Sequence, residues 1–307
     1  MRYDAIIVGS GFAGNLLGWI LAECGWRVLI VDREEHPRFA IGESSTPLGD
    51  MLLERLADHY GLTALKPLAR WGTCRQALPQ LRVGKKRGFS YFQHLPGKPF
   101  ADTPAHDHSL MVAASASDAS SDLHWMRSDV DAWLYQQACQ AGCAGRLGVE
   151  VINLQRDGAG WTLTAQDRAE QGGEIEQWEC REFIDATGSS DVAVRYLGLN
   201  DASERLLTRT GCLFGHFRGV AGFADWLEEH GLADASPIFN PDDAAQHHLL
   251  GNAWMWMLRF VDGTTSVGFV QPTSQWGTFG DLACKSARMD AWQILLARYP
   301  SIYDLMH

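Results

Sequence analysis

The sequence predicts an α/β protein in which a parallel, nucleotide-binding βαβ layer is joined to an antiparallel sheet region. Three observations predict it. Residues 4–32 run as a short apolar strand, a Gly-x-Gly-x-x-Gly loop, a helix pattern and a second apolar strand. A further apolar stretch, residues 183–186, exits through Thr187-Gly188. Residues 254–258 and 266–270 are two strand-like stretches on either side of Asp262-Gly263, as in an antiparallel hairpin.

The elements follow in order. Residues 5–8 form the first strand. Gly9 permits a tight turn, Gly11 lets the backbone approach a pyrophosphate at the helix N-terminus, and Gly14 lets helix and strand pack closely. With Phe12 and Ala13 between them, these residues are the candidate phosphate contacts. The helix is expected to pack Leu16, Leu17, Ile20 and Leu21, and Gly25 stops it. Residues 28–31 form the second strand. It ends on Asp32, which is spaced to accept a hydrogen bond from a ribose hydroxyl. This is a Rossmann-like, dinucleotide-binding unit.

Residues 40–49, AIGESSTPLG, come next. Ser45 or Thr46 can cap the following helix, and Pro47 suits its first turn. Leu48, Leu52 and Leu56 are expected to mark one face of it, with the helix reaching about Tyr60 and Gly61 past its end. Capping does not require Gly42-Glu43; glycine there lets the backbone approach a flat ligand closely. Residues 61–124 read as strands and loops of an inserted region, in which 113–122 is a small, polar, mobile loop.

Ser128 is expected to cap a helix running to about Ala141, with Asp131 near its positive end and Gly142 as its stop. A strand near 149–154, a hairpin at Gly158-Ala159-Gly160 and the strand 183–186 follow. Residues 205–272 read as antiparallel strands with a helical excursion at 222–231. Gly280-Asp281 reads as a turn before a helix from about Lys285 to Tyr299. Trp254, Trp256 and Leu258 share one face of a half-buried strand. Residues 1–60 and 125–200 are therefore expected to form a nucleotide-binding domain, and 61–124 with 201–307 a substrate region.

Composition narrows the partners. A formal charge of −11 over 307 residues suits neither nucleic-acid phosphates nor an anionic membrane. No apolar run is long enough to span a bilayer, and the chain opens directly on a strand, so no signal peptide is expected. The 7 cysteines contain no CxxC pair, which points to reduced thiols in a cytoplasmic protein. His106-Asp107-His108 and His247-His248 read as loop histidines, and no metal site is expected.

Two sets of residues carry a resemblance. The Ala186-Thr187-Gly188 strand end and the Arg127-x-x-x-Asp131 helix start resemble the FAD-binding signatures of the class A flavin monooxygenase superfamily. That resemblance implies a p-hydroxybenzoate hydroxylase-like fold, FAD as the cofactor, and contacts to it from Arg127, Thr187 and Gly188. No second glycine-rich βαβ unit is present in the sequence, so no separate NAD(P)H domain is expected.

More specific is Gly42-Glu43-Ser44-Ser45-Thr46-Pro47, which resembles the loop of flavin-dependent halogenases (the tryptophan-halogenase-like group) that straps the flavin pocket to the substrate chamber. Lys86, ahead of the aromatic strand Gly88-Phe89-Ser90-Tyr91-Phe92, resembles that family's active-site lysine. Trp254-Met255-Trp256-Met257 resembles the first part of its WxWxIP motif. The resemblance runs from residue 1 to about 270. It implies that Gly42, Glu43, Ser44 and Ser45 wall the flavin, that Lys86 is catalytic, and that Trp254 and Trp256 line the substrate chamber. It further implies that a separate flavin reductase supplies FADH2, and that hypohalous acid made with oxygen and halide reaches the lysine and attacks an electron-rich aromatic ring.

The chain departs from the pattern at Leu258-Arg259, where Ile-Pro should stand. It is also shorter than members of the family, so it is expected to be a fragment with an incomplete C-terminal part. Two other readings stay open. One is a related FAD-dependent monooxygenase or dehydrogenase without halide chemistry, in which Lys86 is structural or binds substrate. The other is a catalytically incompetent flavin-binding remnant.

Overall fold

The structure is a computed structural model that describes residues 2–158, 160–168, 173–188, 191–200, 202–277, 282 and 284–307. Ala159, Gly280 and Asp281, assigned above to turns, lie outside the described residues. The chain divides into two compact units. One comprises Met1–Glu43, Leu56–Thr63 and Met126–Arg205; the other comprises Ser44–Arg55, Ala64–Trp125 and Leu206–His307. The boundary thus falls inside the Gly42–Pro47 loop, between Glu43 and Ser44. Elements are numbered in chain order.

The first unit holds β1 (Arg2–Val8), α1 (Phe12–Glu23), β2 (Val28–Asp32), α4 (Arg127–Gln140), β7 (Ala144–Leu147), β8 (Val149–Asp157), β9 (Gly160–Asp167), β10 (Ile175–Asp185) and α5 (Asp191–Leu197). Its sheet has the order β7-β2-β1-β10-β9-β8. The first four strands are parallel, and β8 and β9 complete it antiparallel. Residues 5–8 and 28–31 are buried throughout, the continuous apolar signature of parallel strands covered on both faces. Ile6, Val8, Leu29 and Val31 pack with Val149, Val151, Leu163 and Trp178.

Three expectations shift in this unit. Leu16 and Ile20 of α1 are buried, but Leu17 and Leu21 are half-buried, and Asn15, Gly18 and Trp19 take their place inside. The cause is a second neighbour: Trp19 meets Trp133 of α4 edge-on at 6.1 Å, while a Cβ on Gly18 would stand 2.7 Å from Ile30. Ser128 does not cap α4. Met126 holds that position without a side-chain bond, and Ser128 Oγ donates to Asp129 instead. The strand at 183–186 is the end of the longer β10, half-buried there, and Ala186 lies beyond it. Gly142 stops α4 as expected, with φ +110°.

The second unit holds most of α2 (Pro47–Tyr60), together with α3 (Trp71–Ala77), β3 (Val83–Lys86), β4 (Gly88–Gln93), β5 (Ser109–Ala113), β6 (Asp122–Trp125), β11 (Thr210–Arg218), α6 (Phe223–Glu229), β12 (Ala244–Leu250), β13 (Ala253–Arg259), β14 (Thr264–Pro272), α7 (Thr273–Trp276), α8 (Lys285–Ala297) and α9 (Pro300–Met306). Six strands run β11-β14-β13-β12-β4-β5, all antiparallel except β12 with β4; β3 and β6 form a separate antiparallel pair. One face of the large sheet carries Phe92, Met255, Met257, Val267 and Phe269 into a core with Phe223, Trp226, Trp292 and Leu295 from α6 and α8. Each such buried side chain contributes about 1.5–3 kcal/mol.

α2 buries Asp50, Leu53 and Ala57, whereas Leu48 and Leu52 are 63% and 48% exposed and Leu56 is half-buried. Thr46 Oγ1, not Ser45, accepts from the Gly49 N–H (3.2 Å). His247 and His248 sit on β12, and His248 is fully buried. The 113–122 loop is tied down: Asp118 accepts from Lys85 Nζ and Arg87 Nη1, each at 2.6 Å. No helix among the described residues is long and apolar enough to cross a membrane.

Candidate functional site

In the first unit, the pairings Val8–Val31 and Val8–Asp185 bring Gly9, Asp32 and Ala186 out at one end of the sheet. That is the carboxyl end of the parallel strands, where open α/β sheets bind ligands. A cavity of about 440 Å³ opens there, lined by Gly9, Asp32, Glu34, Arg38, Val151 and Thr187 among others.

The glycines play different parts. Gly9 has φ +111°, and a Cβ on it would lie 2.3 Å from the Ala186 carbonyl oxygen. A Cβ on Gly14 would lie 1.9 Å from the Gly9 carbonyl oxygen. Both are excluded by the chain's own packing. At Gly11 the nearest atoms would be Arg38 Nη2 (3.4 Å) and Arg127 Nη2 (3.8 Å), both ends of flexible side chains. Gly11 therefore keeps an open surface flanked by two guanidiniums. Phe12 and Ala13 begin α1 immediately after it, and the Arg127 guanidinium lies 5.9 Å from the centre of the Phe12 ring.

A hydrogen-bonded network fixes this end. Asp32 Oδ2 accepts from the Ser10 N–H (2.6 Å) and Ser10 Oγ (2.8 Å), and Oδ1 accepts from the Glu34 N–H (2.9 Å). Arg127 forks onto Asp131 (2.8 and 3.0 Å) and donates to the Ile41 carbonyl (2.8 Å), just before Gly42, whose φ is +87°. Thr187 turns back on Asp185 through its N–H (3.0 Å) and Oγ1 (2.7 Å), and Gly188 follows with φ +74°. Glu43 is buried.

Arg38, Ser10 and His36, whose Nε2 lies 2.9 Å from Ser10 Oγ, were not singled out from the sequence. Arg38 Nη2 lies 3.7 Å from Asp32 and 3.9 Å from Asp131, while its buried Nε has no acceptor. A buried donor without a partner beside a helix N-terminus fits an anionic group. The residues present thus fit the diphosphate of a dinucleotide. The available sequence signal was an arginine closely following the Asp32 strand end.

In the second unit, β3 and β6 set Lys86 directly opposite Asp122. Lys86 has 0% exposure. Its Nζ donates to the Ser45 carbonyl, lies 3.9 Å from Asp122 Oδ2, and stands 4.3 Å from the centre of the Phe89 ring. Alternation sends Lys85 the other way, to Asp118 (2.6 Å) and Asp243 (2.8 Å). Burial pushes the Lys86 ammonium below its ordinary pKa, against the pull of Asp122 and Asp50.

Ser45 organises the surroundings: its Oγ donates to Asp50 Oδ2 (3.1 Å) and accepts from the Leu123 N–H (3.0 Å). Ser44 pairs with His124 through the backbone. Burial, with the Lys86 charge, pushes His124 down to about 3, so its ring is neutral and Nε2–H faces the Ala244 carbonyl (3.2 Å).

From Phe89 an aromatic row crosses the sheet on the face opposite the core. Tyr91, His247, Trp256, Gly268 and Phe214 are direct cross-strand neighbours. Ring centres lie 6.5 Å apart for Phe89–Tyr91, 4.8 Å for Tyr91–His247, 5.4 Å for His247–Trp254 and 6.0 Å for Trp254–Trp256. Gly268 makes room for the Trp256 ring, which a Cβ would meet at 2.2 Å. Arg259, in the departing Leu258-Arg259 pair, ties β13 to Asp242 Oδ1 (2.7 Å) and the Val220 carbonyl (3.0 Å). Among the described residues no three His, Cys, Asp or Glu side chains group to hold a metal.

No family model matches the chain. It is 29% identical over 258 residues to tetracycline 7-halogenase of Kitasatospora aureofaciens, covering 84% of this chain and 44% of that protein. It is 29% identical over 261 residues to monodechloroaminopyrrolnitrin halogenase PrnC of Pseudomonas fluorescens, covering 84% and 43%. Among solved structures, halogenase PltM in complex with phloroglucinol and FAD matches with a TM-score of 0.82 and 25% identity, over 99% of this chain and 57% of that one. The chain spans about half the length of the curated relatives it matches.

Proposed function

We propose that this chain, whose homologues are flavin-dependent halogenases, serves FAD-dependent halogenation of an electron-rich aromatic compound. Reduced FAD, delivered by a separate reductase and reacting with oxygen, supplies the oxidising equivalent that converts halide to an electrophile. The chain's residues do the rest. Gly9, Gly11 and the start of α1 receive the diphosphate, Arg38 and Arg127 flank it, and Asp32 faces the ribose. Lys86 Nζ orients the electrophilic halogen by hydrogen bond, or takes it up on nitrogen, a role open to an amine that burial makes easier to deprotonate. The row from Phe89 to Trp256 offers flat faces for stacking an aromatic ring. Sealing this chemistry inside protein limits loss of the electrophile to water.

The observation that carries the reading is the fully buried Lys86 at the head of that aromatic row. The free cysteines support a location in the cytoplasm, and the acidic charge supports small-molecule partners. The test supplies FADH2, oxygen, chloride or bromide, and a panel of phenols, pyrroles and indoles, with mass spectrometry of products. Halide-dependent product mass shifts are expected. Hydroxylation independent of halide moves the assignment to a monooxygenase, the reading favoured by the Leu258-Arg259 departure.

A further inference from the structure

Lys86 has two buried carboxyls for company. Asp50, from the first turn of α2, and Asp122, from β6, are 0% and 1% exposed and lie within hydrogen-bonding reach of each other. Two ionised carboxyls have no proton to place in such a bond. Consistent with that, Asp50 Oδ1 and Asp122 Oδ2 are both buried without a donor. One proton held between them satisfies both oxygens.

Charge counting gives the same answer. Lys86 with two carboxylates would leave a net charge of about −1 in a site without solvent, which is costly. The other groups acting on the cluster do not balance it. Arg70 is committed to Glu54 at 3.0 Å. His124 is neutral, and His247 is held toward neutrality by burial. With one proton retained, Lys86 and the pair sum to zero.

We propose that Asp50 and Asp122 hold a single shared proton beside Lys86 and are positioning residues that accept the ammonium proton when the Lys86 amine acts. The proposal rests on the reading of Lys86 given above. In the transfer an N–H bond of Lys86 breaks and an O–H bond forms on the pair. The ion pair becomes a neutral amine beside two neutral carboxyls, so the site carries no net charge before or after. Nζ lies 3.9 Å from Asp122, beyond hydrogen-bond range, while it is held by the Ser45 carbonyl. Release by Ser45, in the Gly42–Pro47 loop, is therefore the step that lets Nζ close on the acceptor.

Burial first, and Asp122 second, raise the Asp50 carboxyl above the usual carboxylate range. Its contribution to stability is full below that range and is lost as pH rises through the raised value.

The test is infrared spectroscopy of the whole chain through a pH titration. A protonated-carboxyl band is expected at neutral pH, lost on the alkaline side and absent from Asp50→Asn, whose amide replaces the shared proton's donor role. Asp50→Asn should also flatten the decline in unfolding stability between about pH 4 and about 8. No such band in the unmutated protein, or a band unchanged in Asp50→Asn, overturns the proposal. Should Asp50→Asn fail to fold, aspartate-specific isotope labelling of the unmutated protein decides whether the band is an aspartic acid. Asp122→Asn should cut halogenation about 100-fold and alter its pH profile, with flavin reoxidation unchanged. The band reports on the pair whether or not halogenation occurs. Halogenation without the band defeats this inference alone; the band without halogenation defeats the function alone.

Discussion

Lys86 shows what a buried cation needs. Taking an ammonium out of water is expensive, and at this position a backbone carbonyl, a carboxylate and the Phe89 ring together offset the loss. Substitution tests the division of labour. Lys86→Ala should reduce product halogenation by at least about 100-fold while flavin reoxidation proceeds normally. Lys85→Ala should be much milder, because Lys85 faces Asp118 and Asp243 instead. At the nucleotide end, Arg38→Ala should weaken FAD binding by about 10- to 100-fold, the cost of removing one charge-assisted partner. Gly11→Val should abolish FAD uptake in a protein of unchanged far-ultraviolet circular dichroism, since only movable arginine tips would face the new side chain. Unaltered flavin titration in either variant would remove that residue from the phosphate site.

Elements explain where the sequence was legible. The first βαβ unit could be read almost residue by residue, because parallel strands must be continuously apolar and the glycine loop has few alternatives. The buried face of α2 could not. Leucine periodicity pointed to Leu48, Leu52 and Leu56, while the structure turns Asp50 inward to Ser45 and Asp122. A buried carboxylate reads as a surface residue until its partners, distant in sequence, are known. His248 misled similarly: a histidine pair suggests a loop, yet β12 places it in the core against His94, Nδ1 to Nε2 at 2.9 Å. Burial pushes His94 down to about 4 and His248 well below its ordinary value. Both are thus folded as neutral rings, and their contribution is full above about pH 6.5 and lost as pH falls toward the lowered values. Acid unfolding should therefore begin below neutrality. His94→Gln should make the fall in melting temperature between about pH 6.5 and 4 shallower, and an identical slope would show that this pair does not drive it.

At the scale of the whole molecule, each unit carries its own part of the proposed chemistry: the dinucleotide cradle in one, the lysine and aromatic row in the other. Ligand linkage follows. FAD at 100 times its dissociation constant should stabilise the unit that binds it by about 2.7 kcal/mol, seen as a higher melting temperature that NAD or NADP does not reproduce. In the proposed chemistry, flavin oxidation and halogen transfer belong to different residues of this chain. The most direct test is to supply FADH2, oxygen and bromide to the unmutated protein and to Lys86→Ala, following flavin reoxidation and brominated product in the same reactions. Equal flavin reoxidation is expected in both, with brominated product only from the unmutated protein. Equal bromination by the two proteins would remove Lys86 from halogen transfer.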